Sequence, residues 1–509
     1  MEKENQGKVW LVGAGPGDAG LFTLKGKRVL SEAQVVVYDS LVGDGVLSMV
    51  PKEARCIYVG KRAGNHAVSQ EGINQILLEE AQKGYRVVRL KGGDPFLFGR
   101  GGEELELLVE HKIPFEIVPG ISSPFAVPAY NGIPVTHRDY CSSVHVITGH
   151  KRAGAEYDID FEALVRTGGT LIFLMGVAAL NDICEHLIQA GMEPEMPAAI
   201  LQQGTTAGQK RIVATVATLP QEVERQGIET PAIIIVGKVC ETATDFAWYE
   251  KLPLAGCKVL VTRPKELISQ MSERLRRLGA EVLELPAICI RPVKDREEIH
   301  QVMTQIKNYD WLAFTSPSGV RIFFDELMPE VKMDMRKLGH LKIAALGSGT
   351  ARELKKRGLY PDLMPAYFDG EALGKAMAEQ CETNANILLP RAAMGTEDVI
   401  RALGAREDLD VTDLPIYDTF YEASGLIDEK REFASGKIDL AVFTSASTVR
   451  GFAQAVQGLD FHNVTAACIG KQTKAAADSL GMKTYMAKEA TMEALTELVV
   501  ELASVDKQI

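Results

Sequence analysis

The chain has 509 residues, 46% of them hydrophobic and 24% charged. This is the make-up of an ordinary globular protein too long for a single core, so about three or four domains are expected. A net charge of −12 argues against a nucleic-acid coat or an anionic membrane surface, while leaving room for a local basic pocket.

Eight cysteines lie singly with no CxxC, and nine histidines include no HExxH. They offer no metal site and read as reduced thiols of a cytoplasmic protein. The start, MEKENQGK, lacks the apolar stretch of a signal peptide. The longest apolar run, TLIFLMGVAAL, breaks at Asn181–Asp182 and is too short to span a bilayer. A soluble, cytoplasmic chain is expected.

The first predicted element is the strand and glycine turn VWLVGAGPGD, Val9 to Asp18. Gly13 and Gly15 begin a dinucleotide pattern, but Asp18 stands where its third glycine should fall. A carboxylate there opposes a pyrophosphate, and Pro16 removes a backbone donor. A phosphate-free ligand such as S-adenosylmethionine suits the turn better, and a purely structural turn is the alternative. Asp39 closes the next strand, AQVVVYD, at the distance of a ribose-binding carboxylate.

Further strands follow at RCIYVG, RVVRLKGGD and PFEIVPG, with helix-period segments between them, an α/β pattern with a mainly parallel sheet. LKGGDPFLFGRGGEE sets two glycines and an aspartate at a strand end, the place for a second ligand-contacting loop. VPGISSPFAVPAYNGIPVTHR reads as a connector between two lobes. Strands resume at SVHVITG, GTLIFLMG, MPAAILQQG and TPAIIIVGKV, and YEKLPLAG, ending at Gly256, reads as a linker.

The second half contains an internal repeat. DWLAFTSPSGVRIFF from Asp310 recurs as DLAVFTSASTVRGFA from Asp439, VLVTRP as ILLPRA, and LPAI from Leu285 as LPIY from Leu414. Two copies make a bilobed protein, not a solenoid.

The motifs VGAGPGD, VVVYD, VGKRAG, KGGDPFLFGRGGEE, VPGISS, GIPVTHRD, TGH and TLIFLMG occur in the order of one family. From about Lys8 to Thr244 the chain resembles the tetrapyrrole methylases, and within them the uroporphyrinogen-III C-methyltransferases. The resemblance implies a two-lobed α/β fold that binds S-adenosylmethionine, with cofactor contacts at Pro16, Gly92, Gly93, Asp94, Leu97, Ser122, Ser123, Met175, Gly204 and Ala232. Ser122–Ser123 departs from a frequent Thr-Ala in the family. The resemblance also makes Asp39 a proton acceptor and Lys61 a proton donor, against the ribose reading of Asp39 and a merely orienting or structural role for both. Uroporphyrinogen III carries eight carboxylates, so Lys61, Arg62, Arg100, His137, Arg138 and His150 are candidate contacts, each equally readable as a solvated charge.

VLVTRP, FTSPSGV, ALGSGTA, ILLPRA, LPIYDT, VFTSAS and IGKQT, from about Cys257 onward, resemble the uroporphyrinogen-III synthase family. That resemblance implies a bilobed α/β fold that cyclises hydroxymethylbilane with inversion of ring D. It points to Tyr417 near the leaving hydroxyl; Ser316, Ser445 and Thr473, in strand-to-helix turns, are placed to hydrogen-bond propionate or acetate groups. Helix N-capping is the plainer reading of these last three.

The expected organisation is residues 1–247 as methylase (lobes about 8–118 and 137–245) and 248–256 as linker. Residues 257–509 follow as synthase, with lobes of about 257–286 plus 418–509, and 290–413. The implied function is a bifunctional enzyme that makes uroporphyrinogen III and methylates it at C2 and C7 to precorrin-2, for sirohaem or cobalamin. No metal, nucleic acid or membrane partner is expected, and homodimerisation through the first half follows from the resemblance alone. Nothing in the sequence resembles the dehydrogenase and chelatase segment of some sirohaem synthases. An NAD-linked oxidoreductase, a non-catalytic tetrapyrrole sensor and a methylase of a later corrinoid are the rival readings.

Overall fold

The computed structural model describes residues 7–60, 68–149, 158–264, 268–393, 395, 397–421 and 429–506. The chain forms two compact units, Met1–Pro286 with Ala423–Ile509, and Ala287–Glu422.

The first unit opens with five strands, β1 (Lys8–Gly13), β2 (Val35–Tyr38), β3 (Arg55–Tyr58), β4 (Arg86–Lys91) and β5 (Phe115–Val118). They form a sheet in the order β3-β2-β4-β1-β5 in which every pairing is parallel. The VVVY run of β2 is buried throughout, as a central strand covered on both faces must be. The intervening helices are α1 (Leu24–Ser31), α2 (Asp44–Leu47), α3 (Gln70–Gln82) and α4 (Gly101–Glu110). Thr23 and Ser69 cap α1 and α3 by accepting from the Gly26 and Gly72 N–H groups. Leu77 of α3 and Leu108 of α4 cover Val9, Leu11, Val35, Val37 and Val87 of the sheet. With all strands parallel, the loops after β1, β2, β4 and β5 leave from one edge, the edge at which open α/β sheets generally bind their ligands.

Helix α5 (Ser123–Tyr130) leads to a second sheet. Its strands are β6 (Val144–Thr148), β7 (Thr170–Leu174), β8 (Pro197–Gln202), β9 (Lys210–Thr215) and β10 (Ala232–Val236), in the order β6-β7-β10-β8-β9. Only β6 and β7 pair in parallel; the other pairs are antiparallel.

The chain then supplies β11 (Lys258–Pro264), helix α6 (Ile268–Arg277) and β12 (Glu281–Pro292), within which the second unit begins, and continues there with β13 (Trp311–Phe314), β14 (Lys342–Ala345), β15 (Asn386–Ala392) and β16 (Asp410–Tyr421). It returns for β17 (Leu440–Phe443), β18 (Thr465–Cys468) and β19 (Lys483–Met486). In the first unit the strand order is β12-β11-β17-β18-β19, with β11, β17, β18 and β19 paired in parallel. In the second unit the order is β14-β13-β15-β16-β12. There the LPAICI and LPIYDTF stretches meet as an antiparallel pair, Ile288 opposite Tyr421 through Pro292 opposite Tyr417. The repeated sequences occupy like positions, since β13 and β17 each run into a helix capped by a serine, Ser316 and Ser445.

The 248–256 stretch is not a free linker. Leu254 is fully buried in the core of the β11 sheet with Val259, Val261 and Leu275. Its N–H donates to the Leu278 carbonyl at 2.8 Å, and the buried Tyr249 hydroxyl donates to that of Gly279 at 3.1 Å. Three aliphatic residues in YEKLPLAG made these core contacts available. Among the described residues no helix is long and apolar enough to cross a membrane.

Candidate functional site

The loops after β1, β4 and β5 are locked to one another by backbone. Gly15 and Gly93, both with positive φ, exchange hydrogen bonds, Gly15 N to Gly93 O at 3.2 Å and Gly93 N to Gly15 O at 2.8 Å. A Cβ on Gly13 would lie 2.5 Å from the Gly120 Cα, so only glycine permits this approach. Asp94 staples the arrangement by accepting from Gly120 N at 3.0 Å and Phe96 N at 2.8 Å. The Gly15, Gly93 and Gly120 amides are therefore spent inside the protein. No nest of free N–H groups of the kind that holds a pyrophosphate remains among these three.

Asp18, the residue that breaks the dinucleotide pattern, is also engaged internally. It caps the turn at Gly20 N, 2.7 Å away, and accepts from the Tyr130 hydroxyl at 2.7 Å, while its own N–H donates to Thr205 Oγ1 at 3.1 Å. Burial, with the Asp18 carboxylate beside it, pushes the Tyr130 phenol well above its ordinary 10.0 and keeps it a donor. Asp18 thus ties the first glycine loop to α5 and to the loop after β8.

The sequence-predicted residues fall on these loops. Pro16, Gly92, Gly93, Asp94 and Leu97 lie on the first-sheet edge, and Ser122–Ser123 open α5. A Cβ on Gly93 would meet only Ser123 N, at 3.9 Å, so that side of the loop is open. The close contact at Gly92 is instead with Leu41, whose Cβ would lie 2.6 Å from an added Cβ. On the second sheet Ala232 pairs with Gln202, and the next register position pairs Ile233 with Leu174. That register sets Met175, Ala232 and the Gln202–Gly204 turn at one edge. Met175 is exposed with a strained positive φ of 56°. Ala232 turns its methyl into the core of its own lobe, leaving backbone as its outward face. Gly204 packs on Val127 of α5, and Gly17 lies against Thr205 and Thr206. Exposed Leu41, Phe96, Phe98, Ile121 and Phe125 give these loops an apolar rim.

Lys61, Arg62 and His150 lie outside the described residues. Arg100 pairs with Glu103, Arg138 is exposed, and the His137 ring lies tilted against Tyr140, 4.6 Å between centroids. Among the described residues no group of three or more His, Cys, Asp or Glu could hold a metal.

Asp39 leaves the end of β2 with both oxygens engaged, Oδ1 by Leu41 N at 3.0 Å and Oδ2 by Arg89 Nη2 at 2.9 Å. Arg89 also donates through Nε to Glu104 at 3.3 Å and through Nη1 to the Leu90 carbonyl at 2.7 Å. Lys91 donates to the same Glu104 oxygen at 2.5 Å. Desolvation, with Arg89 close by, presses the Lys91 amine below its ordinary value. The sequence reading missed Arg89, Lys91 and Glu104. The signal was present as two cations at alternate positions, facing one way, in a strand of a sheet buried on both faces.

In the second unit, Tyr417 and Ser316 are joined oxygen to oxygen at 2.8 Å, and Ser316 accepts from Gly319 N at 3.0 Å as a helix cap. Burial raises the Tyr417 phenol above its usual value, only partly offset by Ser316, Arg321 and Arg391. Ser445 forms a capping box with Thr448, and Thr473 is buried within its helix.

Residues 8–220 match the family of tetrapyrrole (corrin/porphyrin) methylases, and residues 269–497 match uroporphyrinogen-III synthase HemD. A porphyrin biosynthesis protein HemD of Ruminiclostridium josui is 45% identical over 496 residues, 97% of this chain and 98% of its own length. The chain belongs to both families, methylase first and synthase second. A uroporphyrinogen-III C-methyltransferase of Bacillus subtilis is 41% identical over 353 residues, 69% of this chain and 72% of that protein. A crystal structure of the uroporphyrin-III C-methyl transferase of Thermus thermophilus, complexed with S-adenyl homocysteine, is 37% identical. It covers 46% of this chain and 92% of that one, with a TM-score of 0.40.

Within the first unit the methylase segment and the first synthase strands are joined by a partly buried ion cluster around the buried Lys258. Lys258 Nζ of β11 lies 2.8 Å from Asp44, 3.1 Å from Glu281 and 3.2 Å from Glu432. Glu281 also accepts from Ala207 N at 2.8 Å. One lysine thus reaches α2, just beyond Asp39, and its partner reaches the loop that carries Gly204.

Proposed function

We propose that this chain performs two successive steps of tetrapyrrole synthesis. Its synthase half cyclises hydroxymethylbilane to uroporphyrinogen III, with loss of water and inversion of ring D. Its methylase half methylates that product at C2 and C7, giving precorrin-2 for the sirohaem or cobalamin branch. The observation that carries this reading is the presence in one chain of two families, one of which is named for the synthesis of uroporphyrinogen III.

The glycine loops fit S-adenosylmethionine. Their inward amides are already paired, so a phosphate would find few donors, whereas the open face at Gly93 and the apolar rim suit an adenine and a thioether. Gly92–Asp94, Leu97, Ser122–Ser123 and Pro16 on one lobe, and Met175, Gly204 and Ala232 on the other, would hold it. Bound there, it supplies a methyl group on a sulfonium centre. A pyrrole carbon would take that methyl with its π pair, the carbon–sulfur pair would stay on sulfur, and the ring system would then have one proton to lose. Asp39 is the proposed acceptor of that proton, with lone pairs beyond those used by Leu41 and Arg89. Lys61 is the proposed donor of a proton returned to the ring system during tautomerisation, which a second deprotonation of the ring balances so that one proton is lost net.

In the synthase half, the Tyr417 phenol, held at 2.8 Å by Ser316, is the proposed hydrogen-bond donor to the departing hydroxyl. The remaining work is to fold the substrate and shelter a cation. A dimer through the methylase half belongs to the same proposal. Isothermal titration of the full chain tests the cofactor assignment. Saturable binding of S-adenosylhomocysteine with none of NADH is expected, and the reverse result would move the site to the oxidoreductase reading.

A further inference from the structure

Arg89 stands where the fold calls for an apolar side chain. Its neighbours in register are Leu11 on β1 and Val37 on β2, both fully buried. The face they share is the core beneath α3 and α4. Lys91, two residues on, looks the same way, and Glu104 of α4 is completely buried opposite both. Taking such charges out of water is expensive, and well-packed apolar residues of similar size commonly serve a fold as well or better. The quartet of Arg89, Lys91, Glu104 and Asp39 carries two charges of each sign, so the burial is balanced. Its location at the carboxyl edge of the parallel sheet, where the ligand loops begin, needs a reason other than stability.

We infer that Arg89 is a positioning residue for Asp39 in methyl transfer, with Glu104 as its buried counter-anchor. The guanidinium is held at three nitrogens, by Glu104, by the Leu90 carbonyl and by Asp39 itself. A planar fork fixed in this way has one orientation. With the Leu41 amide on the other oxygen, it determines which lone pairs of Asp39 face the crevice. Lys91 shares the Glu104 oxygen that Arg89 uses and makes the shorter contact to it, 2.5 Å against 3.3 Å, which leaves the guanidinium's Nη2 to Asp39. A lysine at position 89 would keep the charge but lose the three-way fork.

The inference rests on the reading of Asp39 as proton acceptor, and one set of full-length variants separates the two. Asp39→Asn, Arg89→Lys and the double variant are compared in anaerobic methylation of uroporphyrinogen III, with S-adenosylhomocysteine affinity measured alongside. Asp39→Asn alone tests the acceptor, and an unchanged kcat would remove that role. If Asp39→Asn slows the reaction, Arg89→Lys is expected to lower kcat by roughly ten- to a hundredfold, as for a misaligned catalytic group. Cofactor affinity should stay the same, and there should be little further loss in the Asp39→Asn background. An unchanged kcat in Arg89→Lys, or losses that simply multiply, would overturn the positioning role. Arg89→Gln with Glu104→Gln removes one charge of each sign and guards against misfolding of the single variant. The same fall in kcat is expected from this pair, and wild-type turnover would again overturn the inference.

Discussion

Replacing Lys258 with methionine probes how far the two family segments depend on each other. The substitution keeps the bulk of the side chain and removes the cation facing Asp44, Glu281 and Glu432. Breaking a buried ion pair by deleting one partner costs about 3–5 kcal/mol. The three carboxylates keep 32%, 27% and 16% of their side-chain surface, so solvent relieves part of the repulsion. The low end, about 3 kcal/mol or roughly a hundredfold in the unfolding equilibrium, is expected. Desolvation pulls the Lys258 amine down, but Glu281 and Asp44 outweigh it and raise it above 10.5. A raised lysine contributes in full below its unfolded value and fades only as pH climbs past it, so the loss should be complete at pH 7. Urea unfolding of full-length Lys258→Met should show the lower midpoint, and hydrogen exchange should show faster opening at Asp44 and at the Ala207 amide. Lys258→Arg, which keeps the charge, should retain most of the stability. An unchanged midpoint with unchanged exchange would mean that the cluster does not join the segments.

A fragment ending at Gly256 loses the partners of Tyr249, Leu254, Asp44 and Ala207; it should be markedly less soluble and less stable than the full chain, and a well-behaved, fully active fragment would refute this. Gly92→Val should impair folding and methyl transfer by driving into Leu41, at about 1–3 kcal/mol for overpacking, and Leu41→Gly should relieve part of the defect; a correctly folded variant that Leu41→Gly does not help would point to a clash with the ligand. Tyr417→Phe should slow enzymatic formation of the III isomer with a stability loss of only about 1 kcal/mol, and an unchanged rate would remove the phenol from the mechanism. Lys25 and Lys8 hold Glu116 down to about 2 from 4.5. Its contribution is therefore present above pH 4.5 and lost as pH falls toward 2. Glu116→Gln should accordingly melt below the parent at neutral pH, with the gap closing in acid; a gap independent of pH would contradict the ion pairing.

The alternating pattern of the first five strands was enough to read an α/β class with a parallel sheet, and the repeat was enough to read a bilobed second half. Strand direction in the second sheet, antiparallel apart from β6 and β7, left no mark in the local pattern. Asp18 was visible as an anomaly in the glycine turn, but its partner Tyr130 is 112 residues away and no spacing rule pairs them. Arg89 and Lys91 looked like ordinary charges in a strand until the register placed them beside Leu11, Val37 and Gly13. Glu104 lies on a helix whose packing partner only the tertiary fold reveals. The 248–256 stretch has a proline and a closing glycine, Pro253 and Gly256, like a linker, yet Leu254 and Tyr249 are buried. Gly92 was legible as a close approach, but the sequence does not say that Leu41 is what approaches it.

One chain is proposed both to make and to methylate uroporphyrinogen III. The most direct measurement incubates the full protein anaerobically with hydroxymethylbilane and S-adenosylmethionine and follows the products by mass and isomer analysis. A dimethylated product of the III series is expected. Recovery of the spontaneously formed I isomer alone, without added methyl groups, would contradict both halves of the account.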